Sequence, residues 1–268
     1  MNPVEVSTNE ADPFDIRDKT VVVTGGSRGI GYMIASGLVD AGARVLISSR
    51  KAEAVAAASA ELARRGNCQG VAADIATSAG RESLADAVHQ HWNGRLHVLV
   101  NNAGATWGAP VDDFPEHGWD KVLDTNVKGV FQLTTEMLPA LRSTASSVDP
   151  ARVINIGSTA GLNVPALENY SYSASKAAVH MLTRHLAKRL AAESITVNAI
   201  APGWFETSMS RHLLDDAEQR AQLLEDVPLR RVGGPSDIAG AIRFLASRSG
   251  SYLTGTVLPL DGGVSGCS

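Results

Sequence analysis

The feature that most constrains this chain is a glycine-rich turn between a buried strand and a helix near the N-terminus. Residues 21–24 (VVVT) form a β-branched run, typical of a strand buried on both faces. The turn GGSRGIG follows at 25–31, and a helix is predicted from Gly29 to Asp40, ending before Gly42. Glycines there let backbone approach a pyrophosphate, and the helix N-terminus offers it free N–H groups. A dinucleotide site is therefore predicted at Gly25, Ser27, Arg28, Gly29, Ile30 and Gly31.

Short β-type runs and helical stretches alternate along the rest of the chain. Further strands are predicted at 45–47, 70–73, 96–100, 152–156, 195–199 and 256–260, and further helices at 52–65, 78–92, 118–142, 172–192 and 236–246. This pattern predicts an α/β fold: a single-domain, doubly wound (Rossmann) parallel sheet of about seven strands with helices on both faces. We expect a flexible tail at 1–17, one domain over 18–268, and an irregular substrate loop at about 202–231.

Composition excludes several classes of partner. Lys and Arg number 24 against 28 Asp and Glu, with no basic block, which argues against binding to nucleic acid. Cys68 and Cys267 form no CxxC pair or Cys/His cluster, so no disulfide framework or metal site is predicted and a reducing compartment is favoured. No apolar run is long enough to span a membrane, and nothing near the N-terminus reads as a signal peptide. We expect a cytoplasmic protein.

The end of the second strand indicates which nicotinamide cofactor would bind. An acidic residue at this place normally holds the ribose 2′-OH of NAD. Here Ser49 and Arg50 occupy it, and an arginine pairs well with a 2′-phosphate. With Arg28 as a second cation, NADP(H) is predicted rather than NAD(H), unless both arginines are merely solvated. Asp74, after the third strand, could accept from the adenine amino group or could cap the next helix.

Tyr172 and Lys176 form the candidate chemical centre. They are four residues apart at the start of a predicted helix, so their side chains share one face. A nearby ammonium favours the phenolate and would lower the tyrosine pKa from its usual value near 10. Ser158 ends the fifth strand, where open α/β sheets place their ligands, and could hydrogen-bond a substrate oxygen. The pair alone could be an ordinary helical contact; its coincidence with the glycine turn gives it weight.

These motifs resemble those of the short-chain dehydrogenase/reductase family over about Asp18 to Gly263. The match rests on TGGSRGIG at 24–31, NNAG at 101–104, YSASK at 172–176 and LDGG at 260–263. The resemblance implies hydride transfer between nicotinamide and a carbonyl or alcohol carbon. It implies that Tyr172 is the acid/base, that Lys176 lowers its pKa and binds ribose, that Ser158 orients the carbonyl, and that Asn126 supports a proton relay.

The resemblance also implies contacts beyond the chemical centre. Cofactor contacts are expected from Asp74, Ile75, Asn102, Ala103, Gly104, Tyr172, Lys176, Pro202, Gly203, Phe205 and Thr207. A homotetramer is expected, with the helices at 118–142 and 172–192 as dimer surfaces. Residues that could line the substrate pocket are Trp107, Ser158, Thr159, Val164, Leu167, Trp204, Met209 and Leu213. Most are apolar, which favours a hydrophobic ketone, although such residues could equally pack the loops.

Within the family, the stretches NNAGATWGA, ARVINIGS and NAIAPG resemble NADPH-dependent 3-oxoacyl reductases. Those that act on an acyl-carrier protein dock it with basic residues, where this chain has Asp149 and Glu193. Acidic side chains would repel an acidic carrier, so the sequence does not favour a carrier-linked substrate. A sugar-acid or steroid alcohol dehydrogenase remains open. So does a non-catalytic dinucleotide sensor, although such sensors usually lose the tyrosine or lysine.

Overall fold

The computed structural model describes residues 12–207 and 216–267 and is built on a parallel sheet. The strands are β1 Thr20–Thr24, β2 Arg44–Ser49, β3 Cys68–Ala72, β4 Val98–Asn101, β5 Ala151–Ile156, β6 Ile195–Pro202 and β7 Val257–Leu260. All paired neighbours run parallel, in the order β3-β2-β1-β4-β5-β6-β7. The predicted doubly wound sheet of seven strands is confirmed.

Helices cover both faces of this sheet, because its strands are apolar on both sides. The helices are α1 Gly29–Asp40, α2 Ala52–Leu62, α3 Ser78–Trp92, α4 Glu116–Leu123, α5 Val130–Arg142, α6 Tyr170–Leu190, α7 Ala217–Glu225 and α8 Pro235–Ala246. Val21 and Val23 pack with α1, α2 and α8, whereas Val22 packs with α3, α5 and α6. The β-branched run therefore feeds two cores at once, as expected for a strand buried on both faces.

The strand order reverses direction beside β1. The chain moves outward from β1 through β2 to β3, then crosses back to β4 on the other side of β1. At such a switch point the loops after adjacent strands diverge and open a crevice at the carboxyl edge of the sheet. The glycine turn after β1 and the NNAG segment after β4 therefore flank this crevice.

Three larger features differ from the prediction, besides shifts of one to three residues at many other element ends. The single long helix expected over 118–142 is two helices, α4 and α5, joined by a π-helical turn at Asp124–Gly129. The loop expected over 202–231 contains a helix, α7. The flexible tail does not reach residue 17, because Ile16 is only 1% exposed and Arg243 donates to the Phe14 carbonyl. Part of this segment thus belongs to the folded domain.

No helix within the described residues combines the length and the apolar character needed to cross a membrane. Over the same residues, His, Cys, Asp and Glu side chains form no group of three that could hold a metal ion. Cys68 is buried and Cys267 is exposed, and both are free thiols.

Candidate active site

The glycine turn forms the floor of the crevice. Gly25 and Gly29 have φ angles of +66° and +55°, a backbone region that favours glycine. A β-carbon at Gly31 would lie 2.3 Å from both the Asn102 amide nitrogen and the Gly25 carbonyl oxygen. The first turn of α1 has no side-chain cap, since its N-cap residue Arg28 makes no capping bond. This exposed run of backbone and helix N-terminus fits a bound diphosphate.

Two side chains hydrogen-bond the glycine turn to the loop after β4. The Thr24 hydroxyl accepts from the backbone N–H groups of Asn102 and Ala103 at 3.0 and 2.9 Å. The Asn102 side-chain amide donates to the Thr24 carbonyl at 2.8 Å and to the Gly25 carbonyl at 3.3 Å. The Asn102 side chain, predicted as a cofactor contact, therefore ties the loops after β1 and β4 together in this structure.

The residues predicted for the adenosine end lie at the edges of the same crevice. Ser49 is half-buried at the end of β2, and Arg28 and Arg50 are exposed. Within the described part of the chain, neither arginine forms an ion pair, so both guanidinium groups are available to an anion. A groove of about 400 Å³ between α1 and α2, lined in part by Ser27, Arg28 and Tyr32, adjoins this end.

Asp74 follows β3 and was predicted either to bind adenine or to cap α3. Its carboxylate accepts from the backbone N–H of Ala76 at 3.0 Å. The N-cap of α3 is Thr77, whose hydroxyl accepts from Gly80 at 3.1 Å. The capping alternative is therefore wrong, because the helix begins later than Asp74 and supplies its own cap. Ile75 is buried beside it.

Ser158, Tyr172 and Lys176 converge at the carboxyl edge of β5. Ser158 follows β5, its side chain lies near the Tyr172 hydroxyl, and its Oγ accepts from the Ala160 N–H at 3.1 Å. The Lys176 Nζ lies 5.6 Å from the centroid of the Tyr172 ring and donates to the Ile156 carbonyl at 2.8 Å. The three side chains predicted to act together thus lie at the same edge of the sheet.

The pKa of Tyr172 is raised rather than lowered, contrary to the expectation from its spacing to Lys176. Burial of the phenol is the larger effect, and the hydrogen bond from Ser158 opposes it. Burial also lowers the pKa of Lys176 to about 8, because its ammonium group is desolvated. The expectation was wrong for this arrangement because spacing along a helix carries no information about desolvation.

Asn126 lies in the π-helical turn and is buried. Its side-chain carbonyl accepts from the Ala105 N–H at 2.8 Å, and its amide donates to the Ala105 carbonyl and the Ser175 hydroxyl, both at 2.9 Å. A β-carbon at Gly104 would lie 3.4 Å from Asn126 Oδ1 and 3.7 Å from Lys176 Nζ. Asn126 therefore connects the loop after β4 to α6 immediately beside the lysine.

The sequence analysis missed Ala105 and Ser175 as partners of Asn126. Ser175 lies between Tyr172 and Lys176 in the YSASK segment, and its hydroxyl donates to the Tyr172 carbonyl at 2.7 Å. A small hydroxyl residue directly before the lysine was the available signal. No local signal marks Ala105, because its backbone groups make the contact.

The segment predicted to hold the nicotinamide follows β6. A β-carbon at Gly203 would lie 2.8 Å from Asp261, so this turn packs closely against the LDGG segment. The Phe205 ring is buried against Gly233, and the backbones of the two residues form a β-bridge. Thr207 lies beside the glycine turn, since a β-carbon at Gly29 would be 3.4 Å from its Cβ. Pro202 ends β6 and is buried.

The residues predicted for the substrate pocket have varied surroundings. Trp107 packs edge-on against His117 and under the Lys121 ammonium, which fixes it to α4. Val164 is 97% exposed and Leu167 is 45% exposed, while Trp204 is half-buried. The Thr159 hydroxyl donates to the Pro202 carbonyl at 3.4 Å. Met209 and Leu213 lie outside the described residues. Pocket lining remains a prediction for these residues.

The two acidic residues expected to repel a carrier protein are both paired with cations. Asp149 contacts Lys19 at 2.6 Å and also Arg152. Glu193 contacts Arg142 at 2.6 Å and Arg189 at 3.3 Å. Neighbouring positive charge offsets each carboxylate, and repulsion of a carrier protein stays a prediction.

Known proteins share this architecture over nearly the whole chain. The family model described as enoyl-(acyl carrier protein) reductase matches residues 25–265. A Pseudomonas aeruginosa protein, the rhamnolipids biosynthesis 3-oxoacyl-[acyl-carrier-protein] reductase, is 46% identical over 250 residues, covering 93% of this chain and 97% of that protein.

Two solved structures extend the comparison. The Pseudomonas aeruginosa RhlG/NADP active-site complex has a TM-score of 0.92 at 46% identity, covering 95% of this chain and 100% of that one. A putative NAD(P)-dependent gluconate 5-dehydrogenase from Beutenbergia cavernae, with bound NADP, has a TM-score of 0.86 at 35% identity, covering 94% and 99%. The expected likeness to 3-oxoacyl reductases is confirmed. With its Ser158, Tyr172 and Lys176 beside a dinucleotide crevice, this chain belongs to the short-chain dehydrogenase/reductase family of oxidoreductases.

Proposed function

We propose that this protein is an NADPH-dependent reductase of 3-oxoacyl compounds. The observation that carries the proposal is the convergence of Ser158, Tyr172 and Lys176 at the edge of the crevice whose floor is the glycine turn. The Pseudomonas aeruginosa relative supports it, since it is a 3-oxoacyl-[acyl-carrier-protein] reductase by name and the RhlG structure was solved with NADP.

Three side chains of this protein take part in the proposed reduction. When bound, the nicotinamide cofactor supplies a hydride to the carbonyl carbon. Tyr172 gives its hydroxyl proton to the carbonyl oxygen as the C=O π bond breaks, and Ser158 donates a hydrogen bond to the same oxygen. Lys176 supplies positive charge that offsets the developing phenolate. A proton from solvent then restores the tyrosine, so the net change is one ketone, one hydride and one proton to one alcohol.

NADP(H) is the cofactor that we propose. The exposed guanidinium groups of Arg28 and Arg50, with Ser49 at the end of β2, offer two positive charges and a hydroxyl for a 2′-phosphate. No carboxylate occupies the end of β2, so nothing there would repel that phosphate. Asp74 and Ile75 are proposed to contact the adenine.

We consider two classes of substrate, acyl thioesters and sugar acids. The exposed apolar side chains of Val164 and Leu167 follow the catalytic turn and favour an acyl chain. A carrier-linked thioester is compatible with this surface, because Asp149 and Glu193 are both neutralised. The second candidate, a sugar-acid dehydrogenase, is favoured by the 35% identity to the putative gluconate 5-dehydrogenase.

We infer that the protein forms a homotetramer through α4, α5 and α6. A largely apolar groove of about 380 Å³ on this face is lined by Leu123, Asp124, Val127, Lys128, Phe131 and Leu182. Leu123 and Phe131 are exposed although they are large and apolar, which is typical of a surface that a second copy covers. The cytoplasmic location expected from composition stays a prediction.

The test of the proposed function is a substrate comparison with the purified protein. NADPH consumption is followed with medium-chain 3-oxoacyl thioesters of coenzyme A and of a carrier protein, and NADP⁺ reduction with gluconate. We expect turnover of the thioesters at a kcat/KM at least tenfold above that for gluconate. Turnover of gluconate alone would select the second candidate, and no turnover of any substrate would overturn both.

A further inference from the structure

His180 lies directly beneath the turn that carries Ser158. Its side chain is on α6, one turn beyond Lys176, and is only 3% exposed. A β-carbon at Gly157 would lie 2.2 Å from His180 Nε2, and one at Gly161 would lie 2.9 Å from its Cε1. Gly157 therefore makes room for the imidazole ring, and Gly161 makes room for both this ring and the α6 backbone, where a β-carbon would lie 2.6 Å from the Lys176 carbonyl carbon.

The imidazole also makes a polar contact with the turn. The backbone N–H of Ser158 donates to His180 Nε2 at 3.5 Å. This contact requires Nε2 to be unprotonated, which assigns the proton of a neutral ring to Nδ1, a buried atom with no hydrogen-bond partner among the described residues. Burial lowers the pKa of His180, the backbone of Gly161 opposes this, and the positive charges of Lys176 and Arg184 lower it further, so the net direction agrees with a neutral ring.

Ser158 depends on its backbone position for its side-chain contacts. It is the N-cap of the short 3₁₀ turn Thr159–Gly161, and its Oγ accepts from the Ala160 N–H. The Ser158 side chain also lies near the Tyr172 hydroxyl and lowers the pKa of that group. Any shift of the turn relative to α6 moves Ser158 Oγ against the tyrosine, because Tyr172 and His180 are on the same rigid helix.

We propose that His180 is a positioning residue, which holds the Ser158 turn at the distance from α6 at which Ser158 and Tyr172 act together. The inference rests on the proposed function for its kinetic consequence. It extends that function by a residue that touches neither cofactor nor substrate. The competing explanation is that the ring only fills space beneath the turn.

A pair of substitutions separates positioning from space filling. His180→Leu keeps an apolar side chain in the space but removes the acceptor, whereas His180→Gln retains an acceptor oxygen. We expect kcat of His180→Leu to fall about tenfold, which corresponds to about 1.4 kcal/mol, with KM and the NADPH Kd within about twofold. His180→Gln should recover most of kcat. His185→Leu, at an exposed histidine of α6, should behave as wild type. Equal kcat for the Leu and Gln variants would overturn the proposal.

A second measurement does not depend on turnover. Amide hydrogen exchange at Ser158 reports whether its N–H is bonded. We expect exchange to be faster in His180→Leu than in wild type or His180→Gln, at equal global stability. Unchanged exchange of the Ser158 amide in His180→Leu would show that His180 does not hold this N–H, and would overturn the proposed contact. If wild type lacks reductase activity while the exchange difference is present, the proposed function fails and the positioning contact stands.

Discussion

Two tyrosines stand at the start of α6, and only one has the surroundings of an acid. The Tyr172 hydroxyl is buried near the Ser158 side chain, whereas that of Tyr170 donates to the exposed Glu168 at 3.2 Å. We predict that Tyr172→Phe loses about 10²–10⁴-fold in kcat, the usual contribution of a positioned acid, while NADPH binding changes little. Steady-state kinetics and cofactor titration measure both. Tyr170→Phe is the matched control, and an active Tyr172→Phe would refute the assignment.

The exposed guanidinium group of Arg50 is expected to bind the 2′-phosphate of NADPH. A charge-assisted hydrogen bond to phosphate contributes about 1.5–3 kcal/mol, so Arg50→Ala should lower kcat/KM for NADPH by about 10–100-fold. The value for NADH should stay within about twofold, because NADH has no 2′-phosphate. Lys51→Ala, which removes a neighbouring exposed charge, controls for general electrostatics. A parallel fall with both cofactors would place Arg50 outside the phosphate site.

How far single residues could be predicted depends on the range of their interactions. Tyr172 and Lys176 were predictable together because four residues along a helix fix their relation locally. Ser158 required only the rule that parallel strands place ligands at their carboxyl edge. His180 was not predictable, because its partner is the backbone of a turn more than twenty residues away. The predicted direction of the Tyr172 pKa shift was wrong for a related reason. The burial that raises this pKa depends on packing across the whole fold.

At the scale of elements, the π-helical turn at Asp124–Gly129 is the feature that the sequence concealed. The apolar spacing continues through it from α4 into α5, so the pattern predicts one helix. A π-helical turn adds a residue to one turn and re-aims the side chains there, and such turns are frequent at functional sites. In this chain the re-aimed side chain is Asn126. By contrast, α1 and α3 were predicted with their observed bounds, because glycines and caps mark their ends locally.

The hydrogen bonds of Asn126 are expected to stabilise the π-helical turn. Asn126→Ala would leave the buried N–H and carbonyl of Ala105 without side-chain partners, at a cost of about 1–3 kcal/mol for each unsatisfied group. We expect a lower free energy of unfolding in denaturant and a fall in kcat. Glu82→Ala, at an exposed position of α3, should change neither. If Asn126→Ala were as stable as wild type, the turn would not depend on these bonds.

At the scale of the whole molecule, the exposed groove on α4, α5 and α6 should decide the state of assembly. Phe131 is 40% exposed at its wall. We predict that Phe131→Glu shifts the protein to smaller species in light scattering, because burying an unpaired carboxylate is costly. Ser83→Glu, which adds the same charge on α3 away from the groove, should leave the assembly intact. A Phe131→Glu protein of unchanged mass would exclude this groove as an interface.

His97 makes the whole fold sensitive to acid, from the edge of the sheet opposite the active site. Its Nδ1 accepts from the Thr20 N–H at 3.1 Å, which only a neutral ring can do. Burial, followed by the charge of Lys19, lowers the pKa of His97 from 6.5 to about 4. Between these values the unfolded chain binds the proton and the folded chain does not. The stabilisation is therefore complete above about pH 6.5 and is lost as the pH falls toward 4.

At pH 5 this linkage amounts to about 1–2 kcal/mol. Asp149, whose pKa is lowered by Lys19 and Arg152 against the opposing effect of burial, is still charged there and adds nothing to the change. We predict that Tm falls by several degrees between pH 7 and pH 5 in wild type, and by less in His97→Gln, which has no group to titrate at this position. His91→Gln, at an exposed histidine, should follow wild type. Equal losses in His97→Gln and wild type would assign the acid sensitivity to another group.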